Sequence, residues 1–232
     1  MASERNGAVP ELLPEEVIKR ALQLEPALIS DGMKGTDIPG EGTMEASIMP
    51  VVPEMKVVGT AITVDTCNGD NFPIHLATYT TPPGYVMVIS GNQFTQKAYL
   101  GDLIAGAAKA VGFKGIVIDG YVRDYEGIKE LGLPVFAKGF MQAGPIKKGP
   151  GMINVPIHCG GVRVEPGDLV VGGADGVSVV PRARVYEILD RAEEKQKIDL
   201  AMQAKIDAYN EAKAKGEQLP NLMPDWIREL IS

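Results

Sequence analysis

Hydrophobic positions change their spacing several times along the chain, and each change marks an element. Between Glu11 and Leu28, Val17, Ile18, Ala21 and Leu22 recur at helical spacing behind Pro14. That pattern predicts one helix, ended by Ser30-Asp31-Gly32. Residues 35–53 show no period, are rich in Gly, Pro and Met, and read as irregular or edge structure. Val57 to Val64 is a β-branched run bounded by turn residues and predicts a strand. A short helix at Ile74–Thr80 follows. The turn Pro82-Pro83-Gly84 then leads into a strand at Tyr85–Ile89. Next come a helix from about Gly101 to Val111, a buried strand at Ile116–Ile118, a short helix at Tyr125–Leu131 and a strand at Pro134–Ala137. This alternation implies parallel strands joined by right-handed crossovers.

Beyond residue 139 the character shifts to turns, with Gly144-Pro145, Pro166-Gly167-Asp168 and Asp175-Gly176 separating strands at Val162–Val164, Leu169–Val171 and Val177–Val180. Arg182 to about Lys215 is one long helix. Val185, Ile188, Ala192, Met202 and Ile206 form its apolar stripe. A tail, 218–232, carries Pro220, Pro224 and Trp226. No internal repeat is present. The expected organisation is a single domain over residues 1–232, with a helical segment at 1–30 and the long helix and tail at 182–232.

Composition narrows the function classes. Hydrophobic residues make up 45% but aromatics only 6%, so aliphatic and small side chains must fill the core. A formal charge of -7 argues against a phosphate-tracking surface, and no nucleic-acid partner is expected. The two cysteines, Cys67 and Cys159, have no metal-like spacing and read as buried, reduced thiols of a cytosolic protein. No run has the length of a membrane span, and Met1–Pro10 lacks a signal-peptide core. A cytoplasmic protein without a membrane partner is expected.

Two short segments carry chemistry-capable groups. Gly101-Asp102 opens a helix, whose first N–H groups lack internal partners and, with the helix dipole, suit a carboxylate or phosphate. Taken alone, Asp102 reads first as a simple capping residue. Twenty residues later, Arg123-Asp124 follows a buried strand and Gly120. Ligands of open α/β sheets bind at the carboxyl ends of strands. An aspartate there is a hard oxygen ligand for Mg²⁺ or Mn²⁺, and an arginine can hold a carboxylate or a developing oxyanion. The plainer alternative is a surface ion pair and a helix cap. Asp119 reads as a turn residue supporting this loop. His75 and His158, set among Ile74, Leu76, Ile157 and Cys159, read as packed or strand-end residues. No Ser-His-carboxylate arrangement and no G-x-G-x-x-G fingerprint occurs.

The string Gly-Asp-Leu-Ile-Ala at 101–105, Gly-Ile-Val-Ile-Asp-Gly-Tyr-Val-Arg-Asp at 115–124 and Leu-Pro-Val-Phe-Ala at 133–137 resembles the class II pyruvate aldolases. These cleave 4-hydroxy-4-methyl-2-oxoglutarate and 4-carboxy-4-hydroxy-2-oxoadipate. Pro166-Gly167-Asp168-Leu169-Val170-Val171 and Ala174-Asp175-Gly176-Val177 extend the likeness, which covers roughly residues 27–200. The wider superfamily includes the regulator of ribonuclease E activity A. The resemblance implies an α/β fold like the phosphohistidine swivelling domain, β/β/α with a long C-terminal helix, assembled as homotrimers or paired trimers. It implies that Asp124 binds a divalent metal directly (Mg²⁺ or Mn²⁺, with Co²⁺ possible) and that Asp102 holds a metal-bound water acting as base. Arg123 would contact substrate and stabilise the enolate. The backbone at Gly101, Asp102, Leu103 and Ile104 would receive the pyruvyl carboxylate. A carboxylate from a neighbouring subunit's long helix would hold further metal waters; Asp199 is the expected residue, with Glu194 as runner-up. The implied activity is cleavage of a 4-hydroxy-2-oxo acid to pyruvate and a second carbonyl product, with oxaloacetate decarboxylation alongside. The competing expectation is a non-catalytic regulator of a ribonuclease.

Overall fold

The computed structural model describes residues 6–231, which divide into two compact units, one running through Ala192 and the other starting at Glu193. The first unit opens with helices α1 (Glu15–Ala21) and α2 (Pro26–Met33), followed by strands β1 (Met49–Pro50) and β2 (Val57–Asp65). Then come α3 (Phe72–Thr80), β3 (Tyr85–Ser90), β4 (Ala98–Leu100), α4 (Asp102–Val111), β5 (Gly115–Asp119), β6 (Tyr121–Val122) and α5 (Tyr125–Leu131). The remaining strands are β7 (Val135–Ala137), β8 (Gly139–Phe140), β9 (Met152–Ile153), β10 (Ile157–Cys159), β11 (Val162–Val164), β12 (Leu169–Gly173) and β13 (Gly176–Val180). Helix α6 covers Val185–Lys215 and α7 covers Asp225–Ile231.

The main sheet has the order β1-β7-β5-β3-β2-β12-β13, with β9 beside the end of β2. β2, β3, β5 and β7 are parallel, as the alternation of elements implies, and α3, α4 and α5 make the crossovers. The hairpin β12–β13 adds antiparallel to β2, and β1 adds antiparallel to β7. Residues 43–50 run from one edge of this sheet to the other. The Met44 N–H donates to the Val177 carbonyl at 3.0 Å, and five residues on, Met49 pairs with Ala137. The sheet is therefore nearly closed, like a barrel. Successive side chains of a strand point to opposite faces. Ile62, Met87, Ile89, Ile116 and Ile118 pack outward under Ile74, Ala77, Ala105, Ala108 and Ile128 of the three helices. Ala61, Val86, Val88, Val117, Phe136 and Val170 fill the interior. With both faces buried, the parallel strands read as unbroken apolar runs.

Three expectations need correction. The predicted helix from Glu11 to Leu28 is two helices, because Pro26 takes the first position of a new one. Ser30-Asp31-Gly32 does not end α2 but lies within it. Gly32 is there for close packing, since a β-carbon on it would stand 2.8 Å from the Ile188 carbonyl of α6. Cys159 is buried as expected, but Cys67, in the loop after β2, is only half-buried; both are free thiols.

In the second unit α6 runs on to Lys215, as its stripe predicts, and α7 forms after Pro224 with Trp226, Leu230 and Ile231 exposed. Asp199 is exposed and ion-paired with Lys195 one turn away, and Glu194 pairs with Lys197 at 2.6 Å. Among the described residues no helix is long and apolar enough to cross a membrane.

Candidate active site

The two chemistry-bearing segments meet because of a second, small sheet. β4, β6 and β8 are parallel neighbours, with Leu100 in register with Val122 and Val122 with Phe140. The Arg123 N–H donates to the Leu100 carbonyl at 3.0 Å, so the carboxyl end of β4, which leads into Gly101-Asp102, lies beside the carboxyl end of β6, which leads into Arg123-Asp124. The site is at the carboxyl ends of parallel strands, as the general rule holds, but not where the sequence places it. The buried strand before the arginine, β5, ends at Asp119. Two residues of β6 then carry the chain to the site.

Gly101 is the N-cap of α4, extended at φ -140° and ψ -162°, and no side chain caps the helix. Asp102 is the first helical residue, so the capping reading of it fails and the first-turn amides stay open to a ligand. Two glycines make room for two carboxylates. A β-carbon on Gly101 would stand 2.1 Å from Asp124 Oδ2, and one on Gly127 of α5 would stand 2.7 Å from Asp102 Oδ2. Asp124 precedes α5 in the left-handed region at φ 62° and ψ 52°, a conformation that costs an aspartate on the order of 1 kcal/mol. Its carboxylate makes no capping bond and lies 3.3 Å from Arg123 Nε, with both side chains about two-fifths exposed. The plainer alternative for this pair is thus half present: the ion pair exists and the cap does not.

Gly101, Asp102, Leu103, Ile104, Arg123 and Asp124 all line one cavity of about 140 Å³. Its other wall holds three polar residues that the sequence does not flag as a group, Asn71, His75 and Lys147. Asn71 is fully buried and donates from Nδ2 to the Tyr99 carbonyl at 2.9 Å, leaving Oδ1 without a partner. His75 is one turn along α3 and stacks on Tyr79. It is half-buried, with Nε2 enclosed and unpartnered. Burial and, after it, the nearby Lys147 charge hold its imidazole below the usual histidine range. His75 is thus packed, as expected, and also lines the cavity. The i, i+4 pair Asn71 and His75 was the available signal. His158 is neither packed nor at a strand end: it is the exposed middle residue of β10. Asp70 fixes the Lys147 loop, accepting from Phe72 N at 2.8 Å and Lys148 N at 2.7 Å.

On the far side of Arg123 and Asp124 a more open hollow of about 340 Å³ is walled by Tyr125, Phe140, Met141 and Gln142. Asp119 belongs to neither space. It is not a turn residue but the buried end of β5. It pairs with Lys138 Nζ at 2.5 Å and accepts from Gly160 N at 3.1 Å. Lys138 also pairs with Glu45 at 3.0 Å. Burial alone would lower the Lys138 pKa, but its two carboxylate partners outweigh that and hold it above the ordinary value.

Among the described residues no three His, Cys, Asp or Glu side chains converge on one point. Two carboxylates set in glycine recesses beside an uncapped helix end do match the donor set of Mg²⁺ or Mn²⁺. Such ions bind through one or two carboxylates and keep several waters.

Comparison with known proteins gives the family of the chain. Residues 27–179 match the family model described as RraA-like, Aldolase/RraA. A Halalkalibacterium halodurans protein, provisionally named a 4-hydroxy-4-methyl-2-oxoglutarate aldolase, is 40% identical over 77% of this chain and 82% of its own length. A Shewanella oneidensis protein with the same provisional name is 36% identical over 57% of this chain and 80% of its own. Among solved structures, RraAS2 of Streptomyces coelicolor, described as an unusual member of the RNase ES inhibitor RraA family, superimposes with a TM-score of 0.74. It shares 25% identity over 83% of this chain and 98% of its own.

Proposed function

The chain belongs to the Aldolase/RraA family, and from that premise we propose that it is a divalent-metal-dependent lyase that cleaves a 4-hydroxy-2-oxo acid to pyruvate and a second carbonyl compound, with oxaloacetate decarboxylation as a companion activity. The observation that carries this reading is Asp124 lying against the uncapped start of α4, beside Arg123, in the cavity that Asp102 also lines.

Each residue has a role that its position supports. The amides of Leu103 and Ile104 and the positive end of α4 receive the substrate carboxylate. Arg123 offers a planar fork to the keto oxygen and, as the C3–C4 bond breaks, to the charge that gathers on it. Asp102 takes the 4-hydroxyl proton through a water. The C4–O bond becomes a carbonyl, the C3–C4 electron pair passes into the enolate of pyruvate, and C3 is then protonated. Asp124, with Asp102 through water, would hold the metal. When bound, the metal supplies Lewis-acid polarisation of the keto group. Asp199 of a neighbouring subunit is the proposed further carboxylate, in a homotrimer or a pair of trimers.

The alternative, a regulator of a ribonuclease without catalysis, has the RraAS2 likeness in its favour. A binding surface alone gives no reason to hold an aspartate in a left-handed conformation over a glycine recess. The two readings separate on pyruvate release from a panel of 4-hydroxy-2-oxo acids and oxaloacetate, with and without Mg²⁺ or Mn²⁺.

A further inference from the structure

Arg123 and Asp124 line two spaces. The more enclosed one, about 140 Å³, holds the polar groups of the site, the open amides, Asp102, Asn71, His75 and Lys147, beside the apolar Leu103, Ile104 and Pro145. The open one, about 340 Å³, is walled by Tyr125, Phe140 and Met141, with Gln142 as its only further polar residue. Tyr125 and Phe140 stand edge to face, their centroids 5.5 Å apart at 82°, and both remain more than a third exposed. They therefore present exposed ring surface beside the reacting groups, with Lys129 Nζ 5.9 Å from the Tyr125 centroid. Phe140 is placed by β8, the third strand of the sheet that also places Asp102 and Arg123.

A 4-hydroxy-2-oxo acid has one end rich in oxygen and a substituent at C4 that leaves with the second product. The oxygen-rich end matches the polar space. Of the residues that line the open hollow only Arg123 is a cation, and it already serves the keto oxygen, so a second carboxylate on C4 placed there would face the Asp124 carboxylate. An apolar ring there would lie against Tyr125, Phe140 and Met141, with the offset or edge contacts that aromatic pairs favour. Resting on the lyase reading above, we infer that the hollow beyond Arg123 is the subsite for the leaving half of the substrate, and that it selects an apolar, aromatic C4 substituent. The second product would then be an aromatic aldehyde or ketone.

The test measures pyruvate release by the purified protein with Mn²⁺ from three probes: 4-hydroxy-4-phenyl-2-oxobutanoate, 4-hydroxy-2-oxopentanoate and 4-hydroxy-4-methyl-2-oxoglutarate. The expected result is a kcat/KM for the phenyl compound about 10- to 100-fold above the methyl-bearing pentanoate, the range that filling an apolar pocket gives. Phe140→Ala should lower kcat/KM for the phenyl compound about 10-fold further than for the pentanoate. Tyr125→Leu is a second probe of the same wall if the first variant folds poorly. Equal or faster cleavage of the pentanoate or the dicarboxylate would overturn the subsite while leaving the lyase intact. A Phe140→Ala protein with unchanged selectivity but altered mass in light scattering would also overturn it, by making the hollow a contact between copies. No pyruvate from any probe or from oxaloacetate would overturn the lyase reading itself.

Discussion

The carboxylate of Asp124 lies so close to the backbone of Gly101 that a β-carbon there would meet Oδ2 at 2.1 Å. The extended φ and ψ of Gly101 are open to alanine, so the constraint is the neighbour and not the backbone. Gly101→Ala should therefore displace Asp124 and lower kcat/KM about 100-fold, the scale of losing one charge-stabilising group. Stability should fall by only about 1 kcal/mol, the usual effect of placing alanine at an N-cap. Thermal unfolding and pyruvate kinetics on the same preparation check both halves. A fully active variant would mean that Asp124 works from another position.

His75 should titrate below the ordinary histidine value of about 6.5, because burial and then Lys147 disfavour its charged form. The unfolded chain takes up that proton first as pH falls. The stability gained from the neutral ring is thus present above about 6.5 and is lost as pH drops toward the folded value. Only two histidines are present, so NMR can follow the His75 ring. A His75 titration at or above the ordinary value of about 6.5 would contradict this reading of the wall.

Lys138→Met should destabilise the fold by on the order of 3 kcal/mol, because Asp119 keeps its buried charge and loses its cation. Adding Asp119→Asn should recover most of that loss. The raised Lys138 pKa gives a pH signature: its contribution is whole below about 10.4 and fades as pH rises through the higher folded value. Urea unfolding at pH 7 and above pH 10 reads both effects, and a change below about 0.5 kcal/mol would show the pair to be effectively solvated.

The parallel strands were legible in the sequence because each is buried on both faces, which forces unbroken runs such as Ile116-Val117-Ile118. The candidate site was legible in part: Asp102, Arg123 and Asp124 stand where a helix begins and a strand has ended. What places them together was not. β4, β6 and β8 have two or three residues each, too few to show a period, and their pairing joins positions about twenty apart. Asn71, His75 and Lys147 reach the site across a loop pairing, Asp70 with Ile146, that no local pattern announces. Gly32 misled for a related reason. A glycine that ends a helix and one that lets a second helix approach look alike in one dimension.

Assembly offers a further check. If Asp199 completes the site from a neighbouring subunit, Asp124→Ala and Asp199→Ala proteins should each be inactive, and should regain activity when unfolded together and refolded. Random mixing in a trimer restores some intact sites, so recovery should be partial, and light scattering should give the mass of three or six chains. A monomer with full activity at the assay concentration would remove Asp199 from the site.

The most direct test of the central claim is pyruvate release from 4-hydroxy-4-methyl-2-oxoglutarate, 4-hydroxy-4-phenyl-2-oxobutanoate and oxaloacetate, before EDTA, after EDTA, and after adding back Mg²⁺ or Mn²⁺, for the native chain and Arg123→Ala. The account predicts pyruvate from at least one hydroxy-oxo acid and from oxaloacetate, loss with EDTA and return with metal. It predicts a kcat on the order of 100-fold lower in Arg123→Ala, only partly restored by Arg123→Lys, whose ammonium lacks the planar fork. Full activity in a metal-free preparation, an unimpaired Arg123→Ala protein, or no pyruvate from any substrate would contradict it.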